Sequence, residues 1–117
     1  MYKLIAIDMD GTLLKNDKSV SDRTKKAIKE AQEKGVNVVI ATGRPIDGVT
    51  RYLEELDMLG ENDYVLSYNG GLVLKAKSRE VISKTVLSGS DLHYLHKLSK
   101  DLGVNIHAFS EVHGLIT

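Results

Sequence analysis

The amino-acid sequence predicts an α/β fold, in which helices cover an open, mostly parallel sheet in a three-layer arrangement. Two observations lead to this prediction. Short apolar runs rich in β-branched residues, typical of buried strands, occur at 4–7, 36–41 and 64–67. Between them lie two longer segments whose apolar residues recur at helical spacing. Because strand and helix alternate, we expect parallel strands joined by right-handed crossovers.

The first strand and the first helix have clear boundaries. Residues 4–7 form a short apolar run bounded by charge, which predicts a strand buried on both faces, and Gly11 ends it. Ser21 is suited to cap the N-terminus of the helix, and Lys34-Gly35 is suited to end it. The apolar positions between these ends follow the helical repeat: Ala27, Ile28 and Ala31.

The second strand and helix repeat this plan. Residues 36–41 are followed by the loop Thr42-Gly43-Arg44-Pro45, with Pro45 suited to the first turn of a helix. Residues 64–67 predict the third strand, and Asn69-Gly70-Gly71 predicts a turn. The helix between these strands has one apolar face, made by Val49, Tyr52, Leu53 and Leu56.

The pattern changes after Gly71. The apolar runs 72–74 and 81–86 flank a polar turn and predict an antiparallel hairpin. A helix should follow, capped by Ser90 and closed by Gly103. Residues 104–109 then predict a strand, and His113-Gly114 a turn into residues 115–117. The last helix carries a row of leucines at Leu92, Leu95, Leu98 and Leu102.

Composition excludes several classes of function. Sixteen basic and sixteen acidic side chains cancel, and aromatic residues make up 5% of the chain, so the field and the stacking surface of a nucleic-acid-binding protein are missing. The sequence has no cysteine, which excludes disulfides and cysteine-ligated zinc. No apolar run has the length of a signal-peptide core or a membrane span. We therefore expect a cytoplasmic protein that binds neither membrane nor nucleic acid.

Three polar loops follow the predicted strands at their carboxyl ends, where open parallel sheets bind ligands. They are Asp8-Met9-Asp10-Gly11-Thr12, Thr42-Gly43-Arg44 and Asn69-Gly70-Gly71. On an extended backbone Asp8 and Asp10 would point the same way, and such carboxylates repel unless a cation such as Mg²⁺ lies between them. One carboxylate can attack phosphorus, while a second carboxyl group protonates the leaving oxygen and then activates water.

Each loop also has a simpler explanation when it is taken alone. Asp-x-Asp-Gly is most often a strand end or a turn, and Asn-Gly-Gly indicates only a turn. Thr42 and the Gly43 N–H are donors suited to an anion at a helix N-terminus, but Thr42 is equally suited to cap that helix. The functional interpretation depends on the three loops occurring together, on the right strands and in the right order.

Together the motifs resemble those of the haloacid dehalogenase-type phosphatases. Residues 4–14 are similar to the first signature of that superfamily. Residues 39–45 resemble the form that the second signature takes in the Cof-type sugar-phosphatase branch. Residues 67–71 resemble the Asn-Gly turn of the same branch. The spacings agree as well. The resemblance implies a Rossmann-like core at 1–82, present in part, and the beginning of an incomplete α/β cap domain at 83–117.

The resemblance also implies a reaction and its residues. Asp8 would be the nucleophile and a Mg²⁺ ligand, and Asp10 would be the general acid and base, with its backbone carbonyl on the same ion. The reaction would be hydrolysis of a small phosphorylated metabolite, such as a sugar phosphate, through an aspartyl-phosphate. The residues implied to hold the phosphoryl group or the substrate are Met9, Gly11, Thr12, Thr42, Gly43, Arg44 and Asn69.

Two signatures of the family are missing from the sequence: a lysine that stabilises the phosphoaspartate and an acidic pair that completes the magnesium site. In the Cof-type branch both follow the cap. Lys97, Lys100 and Glu111 lie within the presumed cap and do not match those motifs. We therefore expect either a truncated portion of a longer protein or a natural fragment that needs a partner. The missing C-terminal segment would be needed for activity, and residues 1–117 alone would have little or none.

Two other functions stay open. Asp8 could accept phosphate in a signalling module, although the acidic pair of a receiver domain lies apart from its phosphorylated aspartate. The missing signatures are also compatible with a non-catalytic interaction fragment. Zinc binding by His93 and His96, with His107 and His113 following, is less favoured than solvated histidines because cysteine and a nearby acidic ligand are lacking. The leucine row is similarly expected to pack on its own sheet rather than on a partner.

Overall fold

A five-stranded sheet organises the first part of the chain. The computed structural model describes residues 1–110 and 114–117. The strands lie side by side in chain order and are β1 (Leu4–Asp8), β2 (Asn37–Ala41), β3 (Tyr64–Ser67), β4 (Leu72–Lys75) and β5 (Val81–Lys84). The first three run parallel, and β4 and β5 extend the sheet as an antiparallel hairpin. The predicted α/β core and the predicted hairpin are both confirmed.

Helices connect the three parallel strands. Helix α1 (Asp22–Glu33) joins β1 to β2, and the Ser21 side chain caps it by accepting a hydrogen bond from the Thr24 N–H. Helix α2 (Thr50–Glu55) joins β2 to β3. The predicted helical start at Pro45 is wrong, because Pro45 precedes only a short 3₁₀ turn, Ile46–Gly48. Gly48 weakens a continuous helix at this point, and the regular helix begins after it.

The core of this sheet lies between its strands and the two helices. Val49, Tyr52, Leu53 and Leu56 are buried, as their helical spacing predicts. They pack with side chains of the sheet and of the loop after β1, so the segment that carries the polar motifs is held by the core. The buried cluster also includes Met9, Leu13, Leu14, Val20, Ile28, Val38, Ile40, Met58, Val65 and Leu74.

Strand β1 forms one edge of the sheet, and the prediction that both its faces are buried is wrong. Leu4 is 56% exposed and Ile5 is 39% exposed. Among the described strands β1 pairs with β2, so nothing in this part of the chain covers its other side. An open cavity of about 320 Å³ lies beside it, lined by apolar side chains of β1 and α1 that include Ile5, Ile7 and Ala27.

The chain divides into two compact units, Met1–Thr85 and Val86–Thr117. The second unit contains helix α3 (Gly89–Leu102) and an antiparallel pair, β6 (Ala108–Ser110) and β7 (Gly114–Ile116). Strand β6 begins later than the strand predicted from residue 104, because residues 104–107 lie outside the pairing with β7. Glu111 and His113 lie outside the described residues. No helix in the described part of the chain has the length and apolar character needed to cross a membrane.

Helix α3 begins two residues earlier than predicted. Its N-cap is Ser88 rather than Ser90, because Ser88 and Asp91 form a capping box. The Ser88 hydroxyl oxygen accepts from the Asp91 N–H at 3.1 Å, and the Asp91 carboxylate accepts from the Ser88 N–H at 3.2 Å. Gly103 closes the helix with a φ of 65°, as predicted. The leucine row is less buried than expected, and its most exposed members are Leu92, Leu98 and Leu102.

Candidate active site

The three polar loops lie together at the carboxyl ends of β1, β2 and β3. The first and second loops are joined by the side chains of Asp10 and Arg44, whose closest atoms are 2.7 Å apart. The second and third are joined through the backbone: the Asn69 N–H donates to the Thr42 carbonyl at 2.9 Å, and the Tyr68 N–H donates to the Arg44 carbonyl at 3.2 Å. The parallel strand order therefore produces one cluster from segments far apart in sequence.

The first loop turns sharply because of its glycine and is held by its methionine. Strand β1 ends at Asp8, and residues Met9–Leu13 form a tight turn in which Gly11 has a φ of 82°. That left-handed conformation favours glycine. Met9 is fully buried, so it anchors the loop in the core. Asp8 is exposed and accepts a hydrogen bond from the Thr12 hydroxyl at 3.1 Å.

Asp10 has different partners from Asp8, so the two carboxylates do not act as a matched pair. Arg44 donates from Nε to Asp10 Oδ2 at 2.9 Å and from its terminal nitrogen to Oδ1 at 2.7 Å. Lys18 Nζ donates to the same Oδ1 at 2.9 Å. These hydrogen bonds, from Arg44 first and Lys18 second, hold the pKa of the Asp10 carboxyl far below its usual range. Asp10 is therefore ionised in this arrangement, the state required of a general base.

Thr42 is the most enclosed polar residue of the second loop. It is 5% exposed, and its hydroxyl oxygen accepts from the Arg44 N–H at 3.1 Å. No bond among the described residues uses its hydroxyl hydrogen, which is thus left to donate to an anion. The short helices after this loop, a 3₁₀ turn and the six-residue α2, are too short for the helix-terminus contribution that the sequence suggested. The donors of this loop act as local groups.

Gly43 and Asn69 are in close contact across the second and third loops. A Cβ atom added to Gly43 would lie 3.0 Å from the Asn69 side-chain oxygen, so a larger residue would displace Asn69. Asn69 itself has a φ of 56°, and Tyr68 before it has a φ of 51°. Non-glycine residues adopt this conformation at an energetic cost, which is often found at functional sites. The third loop is therefore a constrained turn that places the Asn69 amide against the second loop.

Two residues of this cluster were not identified from the sequence. Lys18 contacts Asp10 from the segment before α1, and Tyr52 in α2 donates its phenolic hydrogen to the Lys18 carbonyl at 2.7 Å. Tyr52 also lies beneath the guanidinium of Arg44, 5.8 Å from ring centre to Cζ. A lysine in a polar loop and a tyrosine on an apolar helix face carry no pattern that marks them. Their roles follow from the fold alone.

The oxygen atoms of Asp8 and Asp10 are suited to bind Mg²⁺, but they supply only some of its ligands. Mg²⁺ prefers about six oxygen ligands and usually keeps several waters. Asp8 offers an exposed carboxylate, and Asp10 offers a backbone carbonyl two residues on; its carboxylate is occupied by Arg44 and Lys18. Across residues 1–110 and 114–117 there is no group of three or more His, Cys, Asp or Glu side chains that could hold a metal. Water or another segment would have to supply the remaining ligands.

Comparison with known proteins identifies the family of this chain. A family model for haloacid dehalogenase-like hydrolases matches residues 5–117. "Putative phosphatase YxeH" of Bacillus subtilis (strain 168) is 49% identical over 109 residues, which are 93% of this chain and 40% of that protein. The structure of a haloacid dehalogenase-like hydrolase from Bacteroides thetaiotaomicron superposes with a TM-score of 0.79 at 33% identity, covering 94% of this chain and 41% of the other.

A second solved structure is similar to a comparable extent. It is that of the HAD subclass IIB sugar phosphatase BT4131, with a TM-score of 0.77 and 26% identity. The match covers 97% of this chain and 42% of BT4131. The chain thus spans about two fifths of the length of the proteins it matches.

Proposed function

This chain belongs to the haloacid dehalogenase-like hydrolases, and on that premise we propose that it is the N-terminal part of a magnesium-dependent phosphatase. The enzyme would hydrolyse small phosphate monoesters through an aspartyl-phosphate on Asp8. One observation carries the proposal: Asp8 lies at the carboxyl end of β1, in the loop that Asp10 and Arg44 join to the donors of the second loop. A nucleophile, an acid–base group and anion donors thus occupy one sheet edge.

In the first half of the reaction, an Asp8 carboxylate oxygen attacks phosphorus as the bond from phosphorus to the leaving oxygen breaks. A proton passes from the Asp10 carboxyl to that leaving oxygen, which requires substrate binding to release this carboxyl from the hydrogen bonds with Arg44 and Lys18 that keep it ionised. In the second half, water attacks the phosphorus of the aspartyl-phosphate, and Asp10 takes a proton from it. Phosphate leaves and the Asp8 carboxylate is restored. The Thr12 hydroxyl bonds one Asp8 oxygen and so favours attack by the other.

The remaining site residues hold the phosphoryl group in this proposal. The Met9 and Gly43 N–H groups and the Thr42 hydroxyl are hydrogen-bond donors to its oxygens, which carry charge throughout the transfer. Gly11 allows the tight turn that follows Met9. Mg²⁺, held by Asp8 and the Asp10 carbonyl, would neutralise phosphoryl charge when bound. Arg44 and Asn69 lie at the mouth, where the substrate enters.

We propose that the rest of the polypeptide completes both the metal site and the fold. The apolar edge of β1 and the cavity beside α1 support this proposal, since exposed apolar edges are usually covered. The chain outside these 117 residues is the occupant that we assign to that edge, because the matched relatives are more than twice as long. Residues 1–82 would belong to the hydrolase core and 83–117 to the start of a cap.

The substrate class is a small phosphorylated metabolite. The matched protein BT4131 is described as a sugar phosphatase, which supports a sugar phosphate as the first substrate to try here. A cytoplasmic location is part of the same proposal and fits the lack of cysteine.

Phosphate release from an aryl phosphate tests the proposal. The proteins compared are residues 1–117, the longest natural form of the chain, and that form with Asp8→Asn, each with and without Mg²⁺. We expect activity only from the long form with Mg²⁺, and none from Asp8→Asn. If the long form hydrolysed none of a panel of phosphorylated metabolites, the proposal that this protein is a phosphatase would be refuted. Robust hydrolysis by residues 1–117 would refute the need for a missing segment.

The lifetime of the phosphorylated protein separates the enzyme from a signalling module. Acetyl phosphate can phosphorylate Asp8 directly, and intact mass reports the addition of one phosphoryl group. In an enzyme the adduct turns over rapidly, whereas a phosphate-accepting switch retains it. A long-lived adduct on the long form, with no hydrolysis of monoesters, would favour the switch.

A further inference from the structure

Three polar residues are buried in the described part of the chain, and one of them has no hydrogen-bond partner there. Thr42, Ser67 and Ser99 are 5%, 0% and 6% exposed. The Ser99 hydroxyl donates to the His96 carbonyl at 2.7 Å, and the Thr42 hydroxyl oxygen accepts from the Arg44 N–H at 3.1 Å. The Ser67 hydroxyl bonds no described residue. A buried hydroxyl without a partner destabilises the folded protein, so fold stability does not explain Ser67.

Ser67 lies beside Thr42 at the carboxyl edge of the sheet. Strands β2 and β3 pair in parallel, with Ala41 opposite Leu66. The Thr42 N–H donates to the Leu66 carbonyl at 2.9 Å, which continues the ladder by one residue and places Thr42 opposite Ser67. Side chains at opposite positions point to the same face of a sheet, and neighbouring strands are about 4.8 Å apart. The two hydroxyl-bearing side chains are therefore neighbours on one face.

Thr42 is the polar side chain next to Ser67 in the sheet. On its other side Ser67 pairs with Leu72, which has no polar side-chain atom. Ser67 is completely enclosed, so neither solvent nor a substrate touches its hydroxyl in this arrangement. The Thr42 hydroxyl oxygen has two lone pairs, and the Arg44 N–H occupies one of them. No hydrogen bond among the described residues uses the second lone pair.

We propose that Ser67 is a positioning residue for Thr42: its hydroxyl donates to the Thr42 hydroxyl oxygen when the Thr42 hydroxyl donates to a bound phosphoryl group. This proposal rests on the proposed function, in which Thr42 holds that group. Hydrogen bonds in a chain strengthen one another, because a hydroxyl that donates its hydrogen becomes a better acceptor at its oxygen. Ser67 thus stabilises the phosphate-bound protein rather than the free protein.

Replacing Ser67 with alanine tests this role, because the fold and phosphate binding should respond differently. In the longest natural form of the chain, we expect Ser67→Ala to leave the urea midpoint unchanged or to raise it, since the substitution removes an unpartnered buried hydroxyl. The affinity for inorganic phosphate in the presence of Mg²⁺, measured by calorimetry, should fall about three- to tenfold, as expected for the loss of one hydrogen bond. The kcat/KM for p-nitrophenyl phosphate should fall by a similar factor.

Two further substitutions separate positioning from a general effect of losing a buried hydroxyl. Ser99→Ala is the matched control, because Ser99 is similarly buried but its hydroxyl is bonded to the His96 carbonyl. It should lower the urea midpoint and leave phosphate affinity unchanged. In a Thr42→Val background the threonine hydroxyl is missing, so Ser67→Ala should cause no further loss of affinity.

Unchanged phosphate affinity in Ser67→Ala would refute the role of Ser67 alone, provided that the wild-type long form binds phosphate. A loss that is as large in the Thr42→Val background as in the wild type would also overturn the proposal. So would a lowered urea midpoint in Ser67→Ala, because the hydroxyl would then have a partner in the free protein. If the wild-type long form neither bound phosphate nor hydrolysed p-nitrophenyl phosphate, the proposed function would fail and the role of Ser67 with it.

Discussion

Asp10 and Arg44, 34 positions apart in the sequence, form a two-point ion pair, with nitrogen-to-oxygen distances of 2.9 and 2.7 Å. The pair joins the loop after β1 to the loop after β2. It also raises the pKa of the Arg44 guanidinium, chiefly through the hydrogen bond from Arg44 to Asp10, and lowers that of the Asp10 carboxyl. Because the side chains of Arg44 and Asp10 are 29% and 43% exposed, this contact orients the Asp10 carboxylate more than it stabilises the fold.

Replacing Arg44 with lysine keeps the charge but removes the two-point geometry. We expect kcat/KM of the long form to fall about tenfold, which is the lower end for losing a hydrogen bond to a charged group. Steady-state kinetics at saturating Mg²⁺ measure the loss. Arg51→Lys is the control, because Arg51 lies over the same tyrosine ring and bonds its hydroxyl rather than Asp10. Equal losses in both variants would contradict the role assigned to Arg44.

Substituting Lys18 with glycine tests whether the left-handed backbone at this position is strained. Glycine adopts a φ of 65° without strain, so we expect the free energy of unfolding to stay unchanged or rise by up to about 1 kcal/mol. Urea denaturation of residues 1–117 measures this. Lys15→Gly is the control, since Lys15 does not have a left-handed backbone. A destabilised Lys18→Gly protein would show that the lysine side chain contributes to the fold.

Gly43→Ala should disturb the third loop. The new Cβ would lie 3.0 Å from the Asn69 side-chain oxygen, and we expect a cost of about 1–3 kcal/mol from this overlap. Asn69→Gly removes the overlapping atoms and suits a φ of 56°, so the double variant should recover part of the loss. Denaturation midpoints of the four proteins measure the coupling. If the stability changes of the two single variants simply added in the double variant, the new side chain at position 43 would not be in contact with Asn69. Gly89→Ala, whose Cβ contacts nothing, is the control.

The capping box of α3 makes the stability of that helix depend on pH. Hydrogen bonds from Ser88, chiefly that of its side chain, hold the pKa of Asp91 below its ordinary value of 3.8. A lowered carboxyl pKa stabilises the folded helix fully above the ordinary value, and the stabilisation is lost as pH falls through the folded-state pKa. We expect Ser88→Ala to weaken α3 at neutral pH by about 1 kcal/mol and to reduce the additional loss in acid.

Amide hydrogen exchange within α3 measures both effects of the Ser88 substitution. Ser90→Ala is the matched control, because Ser90 lies inside the helix and its hydroxyl is hydrogen-bonded to that of Ser88. If the Ser90 substitution exposed the helix amides as much as the Ser88 substitution, the N-cap would be misassigned.

The exposed edge of β1 predicts a difference between the short and long forms. If the remaining polypeptide covers Ile5, then Ile5→Lys should destabilise the long form by about 2 kcal/mol or more. In residues 1–117 the same substitution should lower the free energy of unfolding less, since Ile5 is 39% exposed there. It should also reduce self-association through the strand edge. Denaturation and light scattering measure the two effects. Tyr2→Lys, at an 84% exposed position, is the control. Equal, small effects in both forms would argue against a covering segment.

The parallel pairing of the first three strands and the meeting of the three loops could be predicted because they follow from local patterns. Alternating buried strands and helices fix parallel pairing, and parallel pairing brings Asp8, Thr42 and Asn69 to one edge. Boundaries were harder, since they depend on competing local interactions. Ser88 caps α3 rather than Ser90 because Asp91 completes a reciprocal pair of bonds.

The exposure of β1 and the partners of Asp10 could not be predicted from the sequence. The sequence of an apolar strand does not show whether the strand lies at the edge of a sheet or in its middle. The burial of Ile5 therefore depends on whether another strand pairs with β1. Lys18 reaches Asp10 only because a left-handed turn directs it there, and no residue type in that turn requires such a conformation. Both properties are decided by tertiary structure.

Tyr52 has a consequence for how natural variants of this protein should be interpreted. One face of its ring belongs to the hydrophobic core, yet its hydroxyl holds the backbone of Lys18 and its ring lies under Arg44. Phenylalanine at this position has nearly the same volume and would be equally buried, so the substitution would be judged neutral. It would nevertheless lose the hydrogen bond to the Lys18 carbonyl, so a variant that passes every test of folding would have a loosened turn beside Asp10.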